Sequence, residues 1–365
     1  MSSEKPFSQS NIIIIYLIFF ALGGQGCTNR EKPPTLTLFS SPRMAGSSSL
    51  GWQEVWRFHT ADIRAYPEEQ LPRIYTTPTQ IIIASLPDLP CNHDSKTVMI
   101  TALTLEQGAL LWQTCDDVGS YYTAIEDGYL DETRGVVYLN YGDTFINAFD
   151  LQTGARIWRS EKLQEHTGYH FDRRKVFGND LEMLTGHNTR VTMDADTGFL
   201  LKEEPYDTDL WLSYDQVIFQ LDVSGLYALN PTTKQVMWQR LETDAASLQM
   251  RLWPTFFGED VLFLRGAPVS TLQRRNLHSG ELIWGTERRV ASNFVLDEAD
   301  RIYFLRQDSV LVILDSTTGA TLDEIAFGGL YIDSNTGPHW VMYEHPYLSV
   351  YFGDTNDLIV LRRNP

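Results

Sequence analysis

The sequence predicts an all-β protein, a seven-bladed β-propeller of four-stranded blades. Three observations carry this. A phrase of strand, tight turn and strand recurs six times, its turn-closing residues 36 to 46 positions apart. Runs of β-branched and aromatic residues precede the copies. The final unit lacks its last strand, and the stretch Leu50–Phe58 has the features of the missing one.

The clearest copy runs from Ile146 to Trp158, with Asp150 opening the turn, Thr153-Gly154 closing it and Trp158 ending the second strand. The others span Thr104–Trp112, Asp194–Lys202, Asn230–Trp238, Asn276–Trp284 and Asp315–Asp323. Asp or Asn caps the turn with its side chain, and Gly takes a positive φ at its close. Gly108, Gly154, Gly198, Gly280 and Gly319 hold that position; Lys234 departs from it, which predicts a small strain or another geometry there. The strands on each side alternate, which predicts one buried face and a fixed register. Upstream lie Gln80–Ala84, Val136–Leu139, Val217–Phe219, Val261–Leu264 and Ile302–Leu305, read as second strands. The second and sixth units share the lead-ins Leu130-Asp131-Glu132 and Leu296-Asp297-Glu298. A further short strand before each makes a four-stranded meander, A to D.

The last unit ends on Asp357–Arg363, a C strand. Leu50–Phe58 carries the Trp of a D strand with no C strand before it, so the two are expected to pair and close the ring, with Trp56 near Val360. Seven units of about 45 residues fit the spacing better than eight of about 40.

Composition bounds the function. Apolar residues make up 43% of the 365-residue chain, enough to bury a core. Twenty-nine Lys and Arg against 47 Asp and Glu leave a net charge of −18, which argues against nucleic-acid binding and against a basic lipid-binding patch. No apolar run reaches the 18 or so residues of a spanning helix. Ile12–Leu22 is apolar throughout and precedes Gly23-Gly24-Gln25-Gly26-Cys27, as in a secretory signal; the small residues before Cys27 resemble a bacterial lipoprotein signal. Gly24 and Gln25 depart from that pattern. An ordinary signal peptide or an uncleaved anchor is the alternative. The expected organisation is a signal over 1–26, a lipidated Cys27 and flexible tether over 27–49, and the propeller over 50–365. The protein is then extracytoplasmic, periplasmic or at the outer cell surface, and held to a membrane by lipid.

The phrase of strand, Asp-x-x-Thr-Gly-x-x-x-Trp resembles the PQQ-type β-propeller repeat, a family that includes quinoprotein dehydrogenases and a lipid-anchored propeller of the outer-membrane assembly machinery. The resemblance covers residues 50–365 and implies the fold, with Trp112, Trp158, Trp238 and Trp284 docking between neighbouring blades. It does not specify function. The dehydrogenases are longer, with eight blades, a vicinal cysteine pair and a calcium-bound catalytic carboxylate. This chain has no Cys-Cys pair and no carboxylate that matches by motif. The assembly member also has eight blades, and none of its contact motifs matches here.

Cys91 and Cys115 fall on the same edge of the first meander, in the B–C loop and at the end of strand D; export permits a disulfide, two free thiols being the alternative. No catalytic, cofactor or metal motif is present. Asp194 and Asp196 resemble a calcium fragment but occupy a turn where Asp is ordinary. His166 and His170 have i,i+4 spacing, yet Gly168 between them disfavours a helix. With His59, His93, His187 and His339 they map to the face bearing the D–A and B–C loops, where loops collect polar residues in any case. The expected activity is non-catalytic binding or scaffolding at the cell envelope by a monomeric domain without cofactor, through the longer loops. Tyr66, Tyr169, Tyr331 and Trp340 are its candidate contacts, local packing being the alternative for each. A PQQ-dependent dehydrogenase or a glycan- or peptide-binding surface propeller is the other reading.

Overall fold

The structure, a computed structural model, describes residues 44–45, 48–59, 72–85, 96–119, 125–141, 145–160, 169–177, 179–185, 189–205, 212–214, 217–222, 225–241, 255–265, 271–286, 289–328, 339–353 and 355–364. Every regular element among them is a strand, and among these described residues no helix is long and apolar enough to cross a membrane.

The strands form seven antiparallel sheets, the blades of a seven-bladed propeller. Blade I is β3 (Arg73–Thr76), β4 (Gln80–Ser85), β5 (Lys96–Thr104) and β6 (Leu110–Gly119). Blade II is β7 (Ile125–Asp131), β8 (Val136–Tyr141), β9 (Phe145–Asp150) and β10 (Arg156–Arg159). Blade III is β11 (Tyr169–Phe177), β12 (Asp180–Thr185), β13 (Thr189–Asp194) and β14 (Leu200–Pro205). Blade IV is β15 (Leu212–Tyr214), β16 (Val217–Asp222), β17 (Gly225–Leu229) and β18 (Val236–Leu241). Blade V is β19 (Thr255–Phe257), β20 (Asp260–Arg265), β21 (Thr271–Asn276) and β22 (Leu282–Gly285). Blade VI is β23 (Val290–Leu296), β24 (Arg301–Arg306), β25 (Val310–Asp315) and β26 (Thr321–Phe327), with β1 (Met44–Ala45) added to its edge. Blade VII combines β27 (Trp340–Glu344), β28 (Tyr347–Phe352) and β29 (Asp357–Arg363) with β2 (Trp52–His59).

The closure expected from the sequence is present. Strand β2 pairs with β29 from Trp52 opposite Arg363 to His59 opposite Asp357, and Trp56 lies opposite Val360. Before it becomes strand D of blade VII, the chain passes along blade VI. Met44 and Ala45 pair with Phe327 and Ala326, while Ser48 Oγ and the Leu50 amide donate to Asp323 Oδ2 at 2.5 and 3.1 Å.

The middle strands depart from simple alternation. All six residues of β4 and of β28 are buried, and β25 is buried over Val310–Leu314. Each blade packs against a neighbour on both faces, so B and C strands read as continuous apolar runs. The cores lie in the seams between blades. One cluster joins Ile82, Val98 and Trp112 of blade I to Val137 and Phe149 of blade II. Another joins Ile81 and Leu103 of blade I to Tyr351 and Val360 of blade VII, so the seam made by the two distant chain segments is packed like the rest. Between the inner strands of blades VI and VII, Asn293 donates to the Val341 carbonyl at 2.7 Å and accepts from its amide at 2.6 Å.

Candidate interaction surface

A propeller offers two faces and a rim. The A–B and C–D turns lie on one face; the D–A and B–C loops, most of which fall outside the described residues, lie on the other. The C–D turns share one construction. In blade II, Asp150 Oδ1 accepts from the amides of Gln152 and Thr153 and from Thr153 Oγ1, and Gly154 closes the turn at φ 69°. Asp194 makes the same contacts with Asp196 and Thr197, so it is a turn-capping residue; Asp196 pairs with Arg134 at 2.6 Å. Lys234 holds the same turn without glycine, at φ 57°, its amide donating to the Asn230 carbonyl at 2.9 Å as Gly154 does to Asp150. The different geometry considered from the sequence is absent.

The turns of blades I, II, III, V and VI each receive the tryptophan of the preceding blade. Indole Nε1 atoms of Trp56, Trp112, Trp158, Trp238 and Trp284 donate at 2.8–2.9 Å to carbonyls of Leu105, Leu151, Ala195, Leu277 and Ser316 in the next blade's turn. Each ring lies where a Cβ on that turn's glycine would come within 2.3–2.8 Å. Glycine is therefore required twice at this position, for the positive φ and for the ring. Blade III has Lys202 in place of tryptophan, and the turn after it is the one with Lys234.

A second repeated feature shapes the rim and was not drawn from the sequence. Every strand D carries a β-bulge at the residue before the tryptophan position: the ladder skips Val55, Leu111, Ile157, Leu201, Met237, Ile283 and Leu322. All seven are apolar and exposed, from 39% for Met237 to 54% for Leu201. The extra residue bends the strand and turns an apolar side chain outward. The signal was present in the sequence: the residue before each Trp, Lys202 or Asp323 is Val, Leu, Ile or Met.

Charges on the rim and turn face are mostly committed to structure. Buried Asp116 of β6 takes Arg156 and Arg159 of β10, tying blade I to blade II. In the A–B turn of blade VI, Asp297 accepts from Arg301 Nε at 2.6 Å and from Tyr303 hydroxyl at 2.8 Å. Burial pushes the Asp297 carboxyl up, but the hydrogen bonds from Arg301 and Tyr303 outweigh it and hold the group below the ordinary carboxylate range. Burial, with a hydrogen bond to Glu298 at 2.6 Å, raises Tyr343. Burial also raises Glu344, aided by the charges of Glu132 and Glu298 from other blades. Glu132 and Glu298 thus both act on Glu344 at the turn face. Among the described residues no group of three His, Cys, Asp or Glu could hold a metal ion.

A family model described as outer membrane protein assembly factor BamB matches residues 91–240 and 142–330, more than half the chain. The chain belongs to this family of PQQ-type β-propellers. The crystal structure of BamB from Moraxella catarrhalis has the same fold, with a TM-score of 0.51 and 14% identity over 85% of this chain and 97% of that one. No curated protein sequence matches the chain. In this PQQ-type propeller the repeat residues serve blade-to-blade docking.

The candidate contacts separate on this frame. Tyr169 and Trp340 begin β11 and β27, inner strands of blades III and VII, on the loop face. Trp340 is half-buried against the blade I–VII core, with the Arg73 guanidinium 5.9 Å from its ring centre. Tyr66, Tyr331, Cys27 and Cys91 lie outside the described residues, as do His93, His166 and His187. Cys115 on β6 is disulfide-bonded, and the cysteine it joins lies outside the described residues. His59 contacts Asp357 at 3.1 Å, and buried His339 accepts from the Gly353 amide at 3.1 Å. Both are engaged within blade VII.

Proposed function

We propose that this PQQ-type propeller is an exported, lipid-anchored, non-catalytic binding or scaffold protein at the cell envelope. The observation that carries the reading is where the repeat residues go. The turn-capping Asp and Asn, the glycines and the tryptophans are consumed in joining each blade to the next. What remains for function is a rigid ring, its loops and its rim. The family match to an outer-membrane assembly factor supports an envelope setting and protein partners.

Anchoring rests on Cys27 behind the apolar Ile12–Leu22 run. A disulfide between Cys91 and Cys115 would staple the B–C loop of blade I to its outer strand. The loop face, with Tyr66, Tyr169, Tyr331 and Trp340, is the proposed contact surface. Crosslinking in native membranes, followed by affinity capture and mass spectrometry, tests the reading. Expected are envelope-protein crosslinks and an acylated peptide beginning at Cys27, with the Cys27→Ala chain leaving the membrane fraction. Dye-linked alcohol oxidation by purified protein loaded with PQQ and calcium would overturn it in favour of an enzyme.

A further inference from the structure

The chain reaches the ring by a fixed route. β1 runs antiparallel to β26, with Met44 opposite Phe327. The Phe327 amide donates to the Ser309 carbonyl in the B–C turn at 3.0 Å, so Met44 stands at the loop-face end of blade VI. Ser48 and Leu50 then bind Asp323, nearer the C–D turn. The Gly51 amide donates to the Ser48 carbonyl at 3.2 Å as the chain reverses into β2. Met44 and Leu50 also pack on the core between blades VI and VII. Residues 44–50 are thus a strap along the outer edge of blade VI, from one face of the ring to the other. β26 has 7 residues, and a strand of that length spans about 23 Å. Were the strap free, the chain before it would leave at Gly51 on the turn face. Bound, it leaves on the loop face.

We infer that the strap makes the loop face the membrane-proximal side of the ring, the bilayer that holds an acylated Cys27 being the surface it meets. This deepens the lipid-anchor reading above and rests on it. Length sets the reach. A chain as long as residues 28–43 extends at most about 56 Å, and as a random coil spans about 22 Å root-mean-square. Starting from the loop face, that brings the bilayer within about one ring height of the loops. Starting from Gly51, the same lipid would draw the opposite face toward it. Charge acts in the same sense. Glu132, Glu298 and Glu344 belong to the A–B turns of blades II, VI and VII, and their charges act on one another at the turn face. Anionic headgroups repel carboxylates, which favours the turn face pointing away.

The test places the full acylated chain in vesicles of phosphatidylethanolamine and phosphatidylglycerol that carry an acceptor dye on their headgroups. A donor dye is attached through an azido amino acid at Asp308, in the B–C turn of blade VI, or at Thr317, in its C–D turn; both positions are exposed. Energy transfer is expected to place position 308 about 20 Å nearer the bilayer than position 317. Releasing the strap with Met44→Asp and Asp323→Ala should remove most of that difference and leave amide exchange over β28 and β29 unchanged. Equal distances with the strap intact, or position 317 nearer, overturn the inference, as does a difference that survives release of a folded ring. The chain with its strap intact decides the orientation even if the double variant fails to fold. An acylated, vesicle-bound chain that gives any of these overturning results keeps the anchor and loses the orientation. A chain that carries no acyl group at Cys27 loses both.

Discussion

At the residue scale, the blade junction is a matched pair divided between neighbours: a tryptophan on one strand and a residue without a Cβ on the next turn. Alanine at Gly154 would put its Cβ 2.3 Å from Trp112 while holding φ 69°. Gly154→Ala is therefore expected to cost about 3 kcal/mol in urea unfolding, the sum of left-handed strain and overpacking. Gly135→Ala, at φ 67° with nothing within 4 Å, should cost only about 1 kcal/mol. Lys234→Gly should stabilise by up to about 1 kcal/mol, because Lys202 and not tryptophan precedes that turn and the left-handed strain is relieved. Two carboxylates should respond to pH in opposite directions. The folded state lowers the Asp297 pKa, so its contribution is full above the unfolded value and fades as pH falls through the folded one. Asp297→Asn should cost about 3 kcal/mol at neutral pH by stranding Arg301, and less in acid. The folded state raises the Glu344 pKa, so that group favours folding below its unfolded value and loses this as pH rises through the folded one. Glu344→Gln should stabilise at neutral pH by less than ~1 kcal/mol, with the gain vanishing in acid.

At the element scale, β26 shows how one altered side chain redirects the backbone. With Asp323 in place of tryptophan, the seam between blades VI and VII is held by a carboxylate that collects Ser48 and the Leu50 amide, and the approach to β2 is fixed there. Asp323→Ala should cost about 1 kcal/mol, quicken amide exchange over residues 48–50, and leave β28 and β29 protected. The sequence made the strong copies legible because turn chemistry is local: Asp150, Thr153 and Gly154 specify one loop wherever they fall. It made β2 legible because Trp56 needs a turn to dock on. The short β1 was not legible, since Met44-Ala45 has neither alternation nor β-branching and forms a strand only because β26 offers an edge. Nor was the double-sided burial of the B strands, which belongs to packing between blades and not to any one of them. The rim bulges could have been read from the apolar residue before each tryptophan. The loop face was the least legible part of the candidate surface, because its segments do not repeat.

At the scale of the whole molecule, stability depends on a ring whose last joint is made by strands from opposite ends of the sequence. Blade VII lacks the covalent C–D turn of the other six, yet its geometry is that of a turn cut open. The Asn364 amide donates to the Gly51 carbonyl at 3.1 Å, Gly51 stands at φ 81°, and the ladder from Trp52 to His59 is continuous apart from the same bulge. The break should therefore be movable. In a permuted chain, Asn364 is joined to Leu50 by a short Asp-Thr-Gly turn, and new ends are opened in the A–B turn of blade II between Thr133 and Arg134. The ring then keeps all seven blades and gains the missing hairpin, while blade II is opened only at an exposed turn. Such a chain should unfold in a single transition within a few degrees of the parent, because loop closure at one joint replaces loop closure at another. Deleting residues 1–59 instead removes strand D of blade VII and exposes the edge of β29 along with the blade I–VII core. That chain should lose its cooperative transition and aggregate. If the permutant melts broadly while the deletion stays monomeric and cooperative, the joint between β2 and β29 is not what holds the ring closed.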